Sequence, residues 1–325
     1  MKFVVTGATG FVGSSIVKAL INKGSEVYAL ARPSSSQERL QDIPLNWMVA
    51  DVNQPETLSG LFESVDYVIH AAGMLGQAGK TEEDYMKLHV EGTRHILIEV
   101  SKTNPQPKTL YVSSPGVLGP IDGSPADEKA LLAPSNAYER SKAVAERMVG
   151  VFAEAGTPVV IARPEFIYGP GDTHVLGLFR AIQRGRFFFI GDGLNMCHPT
   201  FINDAVDGML RCLKQGMPGE IYHITGSRPV TFRELMTEIA AALNVPPPRV
   251  RIPRSLAMIS AAGFELLGNV TRKSPPLTRT GVAFFSENRR FSWAKAEKEL
   301  GYKPQYDLQA GIEAAVDWYR REGYL

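Results

Sequence analysis

Cysteine is nearly absent: Cys197 and Cys212 are the only two in 325 residues. That excludes a disulfide scaffold and a cysteine-based zinc site, no metal centre is expected, and the expected location is a reducing cytoplasm. An excess of charge of either sign is also missing. Lysine plus arginine number 35 against 34 aspartates plus glutamates, a formal net charge of +1, so no basic face is available to track a nucleic-acid backbone. Long apolar runs are missing too, since the longest, Ser255 to Gly268, is too short to span a bilayer. Lys2-Phe3-Val4-Val5 already reads as a strand, so no signal peptide is expected before it. There is no internal repeat and no low-complexity tract.

What is present starts at once. The apolar run at the N-terminus leads into Thr6-Gly7-Ala8-Thr9-Gly10-Phe11-Val12-Gly13, and a helical pattern follows through Ile16, Val17, Ala19, Leu20 and Ile21. This is strand, glycine turn, helix. Gly7 allows the tight exit from the strand, Gly10 lets backbone approach a pyrophosphate, and Gly13 lets the helix lie close to the sheet. Amides at the helix N-terminus then face phosphates. Thr6, Gly7, Thr9, Gly10, Phe11, Val12 and Gly13 are accordingly assigned to a dinucleotide cofactor.

Further strands are read at Glu26–Leu30, Asn46–Ala50, Asp66–Gly73, Lys108–Ser114 and Pro158–Arg163, with long helices over 82–102 and 135–155. Alternation at this spacing predicts an α/β fold, a Rossmann doubly wound parallel sheet. The second half is less regular. Proline clusters at Pro246–Pro248 and Pro275–Pro276, with helices expected at 206–210, 233–243 and 308–320, predict a smaller, mostly helical C-terminal substrate domain. The expected division is 1–165, with 195–222 returning to it, against 166–194 and 223–325.

Tyr138 and Lys142 stand four apart near a helix start, hence on one face. A neighbouring ammonium favours the phenolate, so the spacing predicts a tyrosine whose pKa is drawn down for proton transfer. Their position after a strand ending in Ser113-Ser114 matters, because open parallel sheets bind ligands at the C-terminal ends of their strands.

From end to end the chain resembles the extended short-chain dehydrogenase/reductases, nearest the 3β-hydroxysteroid dehydrogenase and dihydroflavonol reductase-like members. The resemblance rests on Thr6-Gly-Ala-Thr-Gly-Phe-Val-Gly13, Asp51-Val52, His70-Ala-Ala-Gly73, Tyr111-Val-Ser-Ser114, Tyr138-Glu-Arg-Ser-Lys142, Arg163-Pro164 with Tyr168-Gly-Pro170, and Leu300-Gly-Tyr-Lys-Pro304. It implies that Ser114, five residues before Gly119, bonds the reacting oxygen, that Tyr138 exchanges its proton and also contacts the cofactor, and that Lys142 tunes Tyr138 and holds the nicotinamide ribose. Ser113 also ends the strand and is the other candidate. The resemblance further implies Asp51 and Val52 beside the adenine, Ala71, Ala72 and Gly73 along the cofactor, Pro164 near the nicotinamide, and a homodimer through the two long helices. His89 stands where relatives often have asparagine and is left outside the catalytic set.

For the cofactor, the end of the second strand decides. An acid that would bind a ribose 2′-hydroxyl is replaced by Ala31, and Arg32 follows with Ser34, Ser35 and Ser36 nearby, so NADP(H) is expected over NAD(H). For the substrate, Cys197 occupies the place of the arginine that sugar-nucleotide relatives direct at a diphosphate, with Arg180, Arg184 or Arg186 as the available substitutes. The apolar segment 255–268 resembles the hydrophobic insert of the steroid-dehydrogenase-like members and reads as core, substrate wall or a patch for a membrane surface. With Phe187-Phe188-Phe189, these features point to a small-molecule substrate that is mainly hydrophobic, steroid-like or long-chain, on which a secondary alcohol and a ketone are interconverted by hydride transfer. Two rival expectations stand beside this oxidoreductase: a sugar-nucleotide epimerase or dehydratase with tightly bound NAD, and a non-catalytic NADP-sensing regulator.

Overall fold

Along the first strand, side chains alternate between two hydrophobic clusters. Phe3 and Val5 pack with Ile16, Val17 and Leu20 of the next helix, whereas Val4 packs with Ile96 and Val100 of a distant one. A strand buried on both faces belongs inside a layered α/β structure. The computed structural model of the protein describes residues 1–76, 79–271 and 277–325. Its central sheet contains β1 (Lys2–Thr6), β2 (Glu26–Ala31), β3 (Asn46–Val49), β4 (Tyr67–His70), β5 (Lys108–Val112), β6 (Val159–Pro164) and a seventh strand, Ile221–Ile224. The order is β3-β2-β1-β4-β5-β6 and then Ile221–Ile224, and every pairing is parallel. Strand order therefore reverses between β1 and β4, where a crevice opens at the carboxyl ends.

The helices of this half are α1 (Phe11–Asn22), α2 (Glu82–Met86), α3 (Gly92–Lys102) and α4 (Ala137–Glu154), followed by α5 (Leu176–Gln183) and α6 (Ile202–Gln215). Cores of α1 and α6 share one sheet face, and α3 and α4 cover the other. Two sequence expectations need correcting. The six strands read from sequence are joined by a seventh, which is only four residues long and includes a buried histidine, His223. The single helix expected over 82–102 is interrupted by a π-helical turn at Lys87–Glu91, where His89 is buried. Such turns cluster at functional sites.

The C-terminal part adds α7 (Phe232–Leu243), α8 (Arg254–Thr271), α9 (Arg279–Ser286), α10 (Ala294–Leu300) and α11 (Leu308–Arg321). Phe179 and Ile182 of α5, Leu235 and Ile239 of α7, and Ile312 and Tyr319 of α11 belong to the same cluster as the α1 face of the sheet. The apolar segment 255–268 lies on α8. Only its small residues Ala257 and Ala261 are buried, against Ile190 and Val282, while Leu256, Ile259, Leu266 and Leu267 are more than half exposed. Its largest side chains are thus surface rather than core. No described helix is long and apolar enough to cross a membrane. The proline pair Pro275–Pro276 lies outside the described residues.

Candidate active site

The glycine loop is held by close backbone approaches. Gly7 has φ +68, and a Cβ on it would stand 2.5 Å from the Ala71 carbonyl oxygen; a Cβ on Gly13 would stand 2.1 Å from the Gly7 oxygen. Both positions require glycine for space, and Gly7 also for conformation. Gly10 caps α1 with no side-chain hydrogen bond, leaving the helix-start amides of the loop available to an anion. Thr6, Gly7 and Ala71-Ala72 therefore share one crevice, with the Ala72 amide donating to Thr6 Oγ1 at 3.2 Å. This cradle, which a Cβ would fill, fits a dinucleotide pyrophosphate. The loop also separates two mutational effects. Gly13→Ala should cost about 2–3 kcal/mol of stability from overpacking and weaken cofactor binding as well. Gly10→Ala meets only the Gly7 oxygen at 3.3 Å, so it should leave the melting temperature nearly unchanged while weakening the cofactor about tenfold. Calorimetric titration beside thermal melts checks both.

Around the loop stand the other assigned positions. Ala31 is buried at the end of β2, and Arg32 beyond it is exposed. Asp51 folds its carboxylate onto the Asn53 amide at 2.9 Å, and buried Val52 packs under Gly92, where an added Cβ would meet it at 2.9 Å. Pro164 ends β6 in register with Ile224. Arg39, which the sequence reading did not single out, donates to the Gly171 carbonyl oxygen, and Gly171 also lies against Phe11. The arginine thereby ties the segment after β2 to the loop after β6.

Three residues stand one turn apart on α4 at the candidate site: Tyr138, Lys142 and Glu146. Glu146 is buried and accepts from Arg163 Nε at 3.0 Å and Nη2 at 2.6 Å, and Ser113 Oγ donates to the same carboxylate. This clamp locks α4 to β5 and β6 beneath the site. It also separates the two serine candidates. Ser113 is turned into the core toward Glu146, while Ser114 accepts from the Gly116 amide at 3.2 Å and faces the Tyr138 hydroxyl. Lys142 Nζ donates to the Val112 carbonyl oxygen at 2.9 Å and lies 5.1 Å from the Tyr111 ring centre. Burial lowers the Lys142 pKa to about 8, with the Glu146 carboxylate opposing.

Tyr138 departs from the sequence expectation. Burial raises its pKa above the ordinary phenol value, and the Ser114 contact only partly offsets this. Desolvation outweighs the ammonium four residues on, whose hydrogen bond goes to backbone instead. The phenol is held protonated.

Two histidines complete the site through wires of defined polarity. The Met74 amide donates to His89 Nε2 at 3.1 Å, so Nδ1 carries the proton and donates to Ser141 Oγ at 2.8 Å, and Ser141 donates to the Tyr138 carbonyl oxygen at 2.7 Å. His89 thus fixes the first turn of α4 from the π-helical turn, and its ring lies 5.6 Å from that of Tyr138. Thr93 Oγ1 donates to the His89 carbonyl oxygen at 2.5 Å, which leaves it to accept from His70 Nε2 at 2.9 Å. His70 Nδ1 then accepts from Thr6 Oγ1 at 2.7 Å. The glycine loop, β4, α3 and α4 are joined in this way by neutral rings. Burial, reinforced by Lys142, lowers His70 to about 3 and His89 to about 2. Gly73 closes the corner, since a Cβ there would come within 3.3 Å of His89 Nε2 and 3.6 Å of Lys142 Nζ.

Cys197, which stands in the place of a diphosphate-binding arginine, is buried, its thiol pKa pushed up by burial. Arg180 donates to the Tyr324 carbonyl oxygen at 3.0 Å, and Arg184 and Arg186 are exposed.

Comparison with known proteins bears on the family and the fold. A profile of the NAD dependent epimerase/dehydratase family matches residues 3–225. A 2-alkyl-3-oxoalkanoate reductase of Stenotrophomonas maltophilia is 29% identical, covering 96% of this chain and 97% of the relative. A 3β-hydroxysteroid-dehydrogenase/decarboxylase of Arabidopsis thaliana is also 29% identical, over 97% of this chain and 78% of the relative. Among solved structures, a dTDP-glucose 4,6-dehydratase of Streptomyces venezuelae with NAD bound superposes with a TM-score of 0.82 at 25% identity, covering 99% and 97% of the two chains. Strand order, glycine cradle and matched profile together mean that the chain belongs to the NAD dependent epimerase/dehydratase family of extended short-chain dehydrogenase/reductases.

Proposed function

We propose, within a family of NAD(P)-dependent oxidoreductases acting on CH–OH groups, that this chain uses NADP(H) to interconvert a ketone and a secondary alcohol on a mainly hydrophobic substrate. One observation carries the substrate reading. Beyond the end of β6, half-buried Phe166 packs edge-on against Phe284 at 5.4 Å, and Phe284, Phe285, Phe187 and Phe232 continue as one aromatic group. All but buried Phe232 are partly exposed, and partly exposed aromatics of this kind suit an apolar molecule with one oxygen to be reduced. The names of the two relatives, a 2-alkyl-3-oxoalkanoate reductase and a 3β-hydroxysteroid-dehydrogenase/decarboxylase, support the same class.

When bound, the nicotinamide supplies or accepts hydride at its C4. The chain's own part is to hold the ketone oxygen between Ser114 and Tyr138, to donate a hydrogen bond from Ser114 as charge grows on that oxygen, and to deliver the Tyr138 proton to it. A protonated phenol is the form that reduction needs. Lys142, ionised below about pH 8, bonds the ribose. Gly7 to Gly13 hold the pyrophosphate, with Asp51 and Val52 flanking the adenine, Ala71 to Gly73 lining the cofactor and Pro164 by the nicotinamide. We assign the substrate domain to 166–194 and 223–325, and a homodimer to the outer faces of α3 and α4, where Val144 and Val151 of α4 are exposed.

NADP(H) preference rests on Arg32, which has no ion pair or hydrogen bond on its side chain among the described residues. Calorimetric titration should give tighter binding of NADPH than NADH, and Arg32→Ala should weaken NADPH by about tenfold, the worth of one charged phosphate contact, with NADH little changed. Equal binding of the two by the wild type, or oxidised NAD retained through purification, would favour the epimerase instead.

A further inference from the structure

Next to the reacting centre lies an acid that the chemistry above leaves unused. Glu165 follows Pro164 at the carboxyl end of β6, is 6% exposed, and its carboxylate has no hydrogen bond or ion pair among the described residues. Buried carboxylates without partners are costly and rare. The next residue, Phe166, has φ +32, a left-handed conformation that a bulky aromatic residue adopts only under constraint. The chain thus turns sharply where it presents one acid and one aromatic ring in succession. Phe166 joins the aromatic group, and Glu165 interacts electrostatically with Tyr138, Glu139, Arg289 and the buried thiol of Cys197.

The local charge balance is acidic. Arg289, itself buried, is bonded by Glu139 at 2.8 Å and approached by Glu287 at 3.8 Å, so its charge is matched before Glu165 is counted. Glu287 is shared with Arg254 at 3.0 Å. Arg289 Nε is buried without a partner, a donor available to a neutral acceptor. One acceptor and one donor with no surplus positive charge suit a hydroxyl or keto oxygen. They do not suit an anion.

We propose that Glu165 contacts the substrate and sets its charge class, so that the site takes neutral hydroxy or keto compounds and turns away those with a carboxylate or phosphate near the reacting carbon. The assignment rests on the ketone and alcohol reading and narrows it. It also sets this chain apart from the oxo-acid reductase it resembles. Burial, with Glu139 adding to it, raises the Glu165 pKa to about 7, so assays near pH 8 read the ionised form.

The test compares methyl 3-oxodecanoate with freshly saponified 3-oxodecanoate as substrates for the wild-type enzyme with NADPH. Wild type should favour the ester in kcat/KM by about tenfold or more, Glu165→Gln should bring the two within about threefold by raising the value for the anion, and Glu165→Asp should keep the preference. A merely structural role would lower both substrates alike and leave the ratio unchanged. An unchanged ratio in Glu165→Gln, or a wild type that prefers the anion, overturns the assignment while the oxidoreductase reading stands. A wild type that reduces neither compound overturns both.

Discussion

Tyr138→Phe should reduce kcat for an apolar ketone by about 10²- to 10⁴-fold, the usual worth of a positioned general acid, while cofactor affinity and fold survive. The substitution removes one hydroxyl. The ring stays, and with it the edge contacts to His89 at 5.6 Å and Tyr85 at 6.3 Å. The Tyr138 carbonyl oxygen, held by Ser141, is backbone and unaffected. Losing the contact with Ser114 should cost stability only about 1 kcal/mol. Lys142 keeps its bond to the Val112 oxygen and the glycine loop is untouched, so NADPH should bind within about threefold of wild type, the loss being at most one neutral hydrogen bond from the Tyr138 hydroxyl. Steady-state rates beside calorimetric titration read the two effects separately. A redox sensor would show an undiminished cofactor response and have no turnover to lose; turnover by the mutant at wild-type rates would remove Tyr138 from the chemistry.

The parts of this site legible in the sequence are those carried by short-range spacing. Gly7, Gly10 and Gly13 report their own backbone demands, and Tyr138 with Lys142 declare a shared helix face. Glu146 continues the same spacing and could have been read as a third member. Its partner Arg163 could not, because the clamp depends on how α4 lies across β5 and β6. The polarity of the His70 and His89 wires is likewise tertiary, although both residues sit in quotable motifs. The rise in the Tyr138 pKa is invisible for a related reason: spacing announces the ammonium, and burial, which outweighs it, is a property of the packed site. Glu165 and Arg289 are far apart in the chain and meet only through the fold. The seventh strand escaped because Ile221–Ile224 is short and carries a histidine that no hydrophobic pattern requires.

Acidification should unfold the protein steeply below about pH 6, because four of its six histidines are buried and neutral. Burial is the leading cause in each, lowering His70 to about 3, His89 to about 2, His198 to about 4 and His223 to about 3. The unfolded chain takes up protons near the ordinary histidine value of 6.5, and the folded chain does not until far lower pH. Below 6.5 the unfolded state therefore binds more protons, so stability falls with falling pH. Each histidine costs roughly 2 kcal/mol by pH 5, and the four together about 8 kcal/mol, against a typical stability of 5–15. Glu165 works in the opposite sense. Its raised pKa makes the ionised form costly when folded, so protonation on going from pH 8 to pH 5 returns about 2–3 kcal/mol. The net loss of about 5 kcal/mol remains large enough to place the acid transition well above that of a protein limited by its carboxylates. Urea titrations at pH 8, 6.5 and 5 measure it directly. His89→Gln supplies the control, since it removes one titrating ring from the π-helical turn and should reduce the net pH dependence by about 2 kcal/mol, roughly two-fifths of it, even if it lowers stability at every pH. A midpoint that does not move between pH 8 and pH 5 would mean that these rings are protonated in the folded state, and with that the polarity of the wires from Thr6 to Thr93 and from Met74 to Ser141 would have to be abandoned.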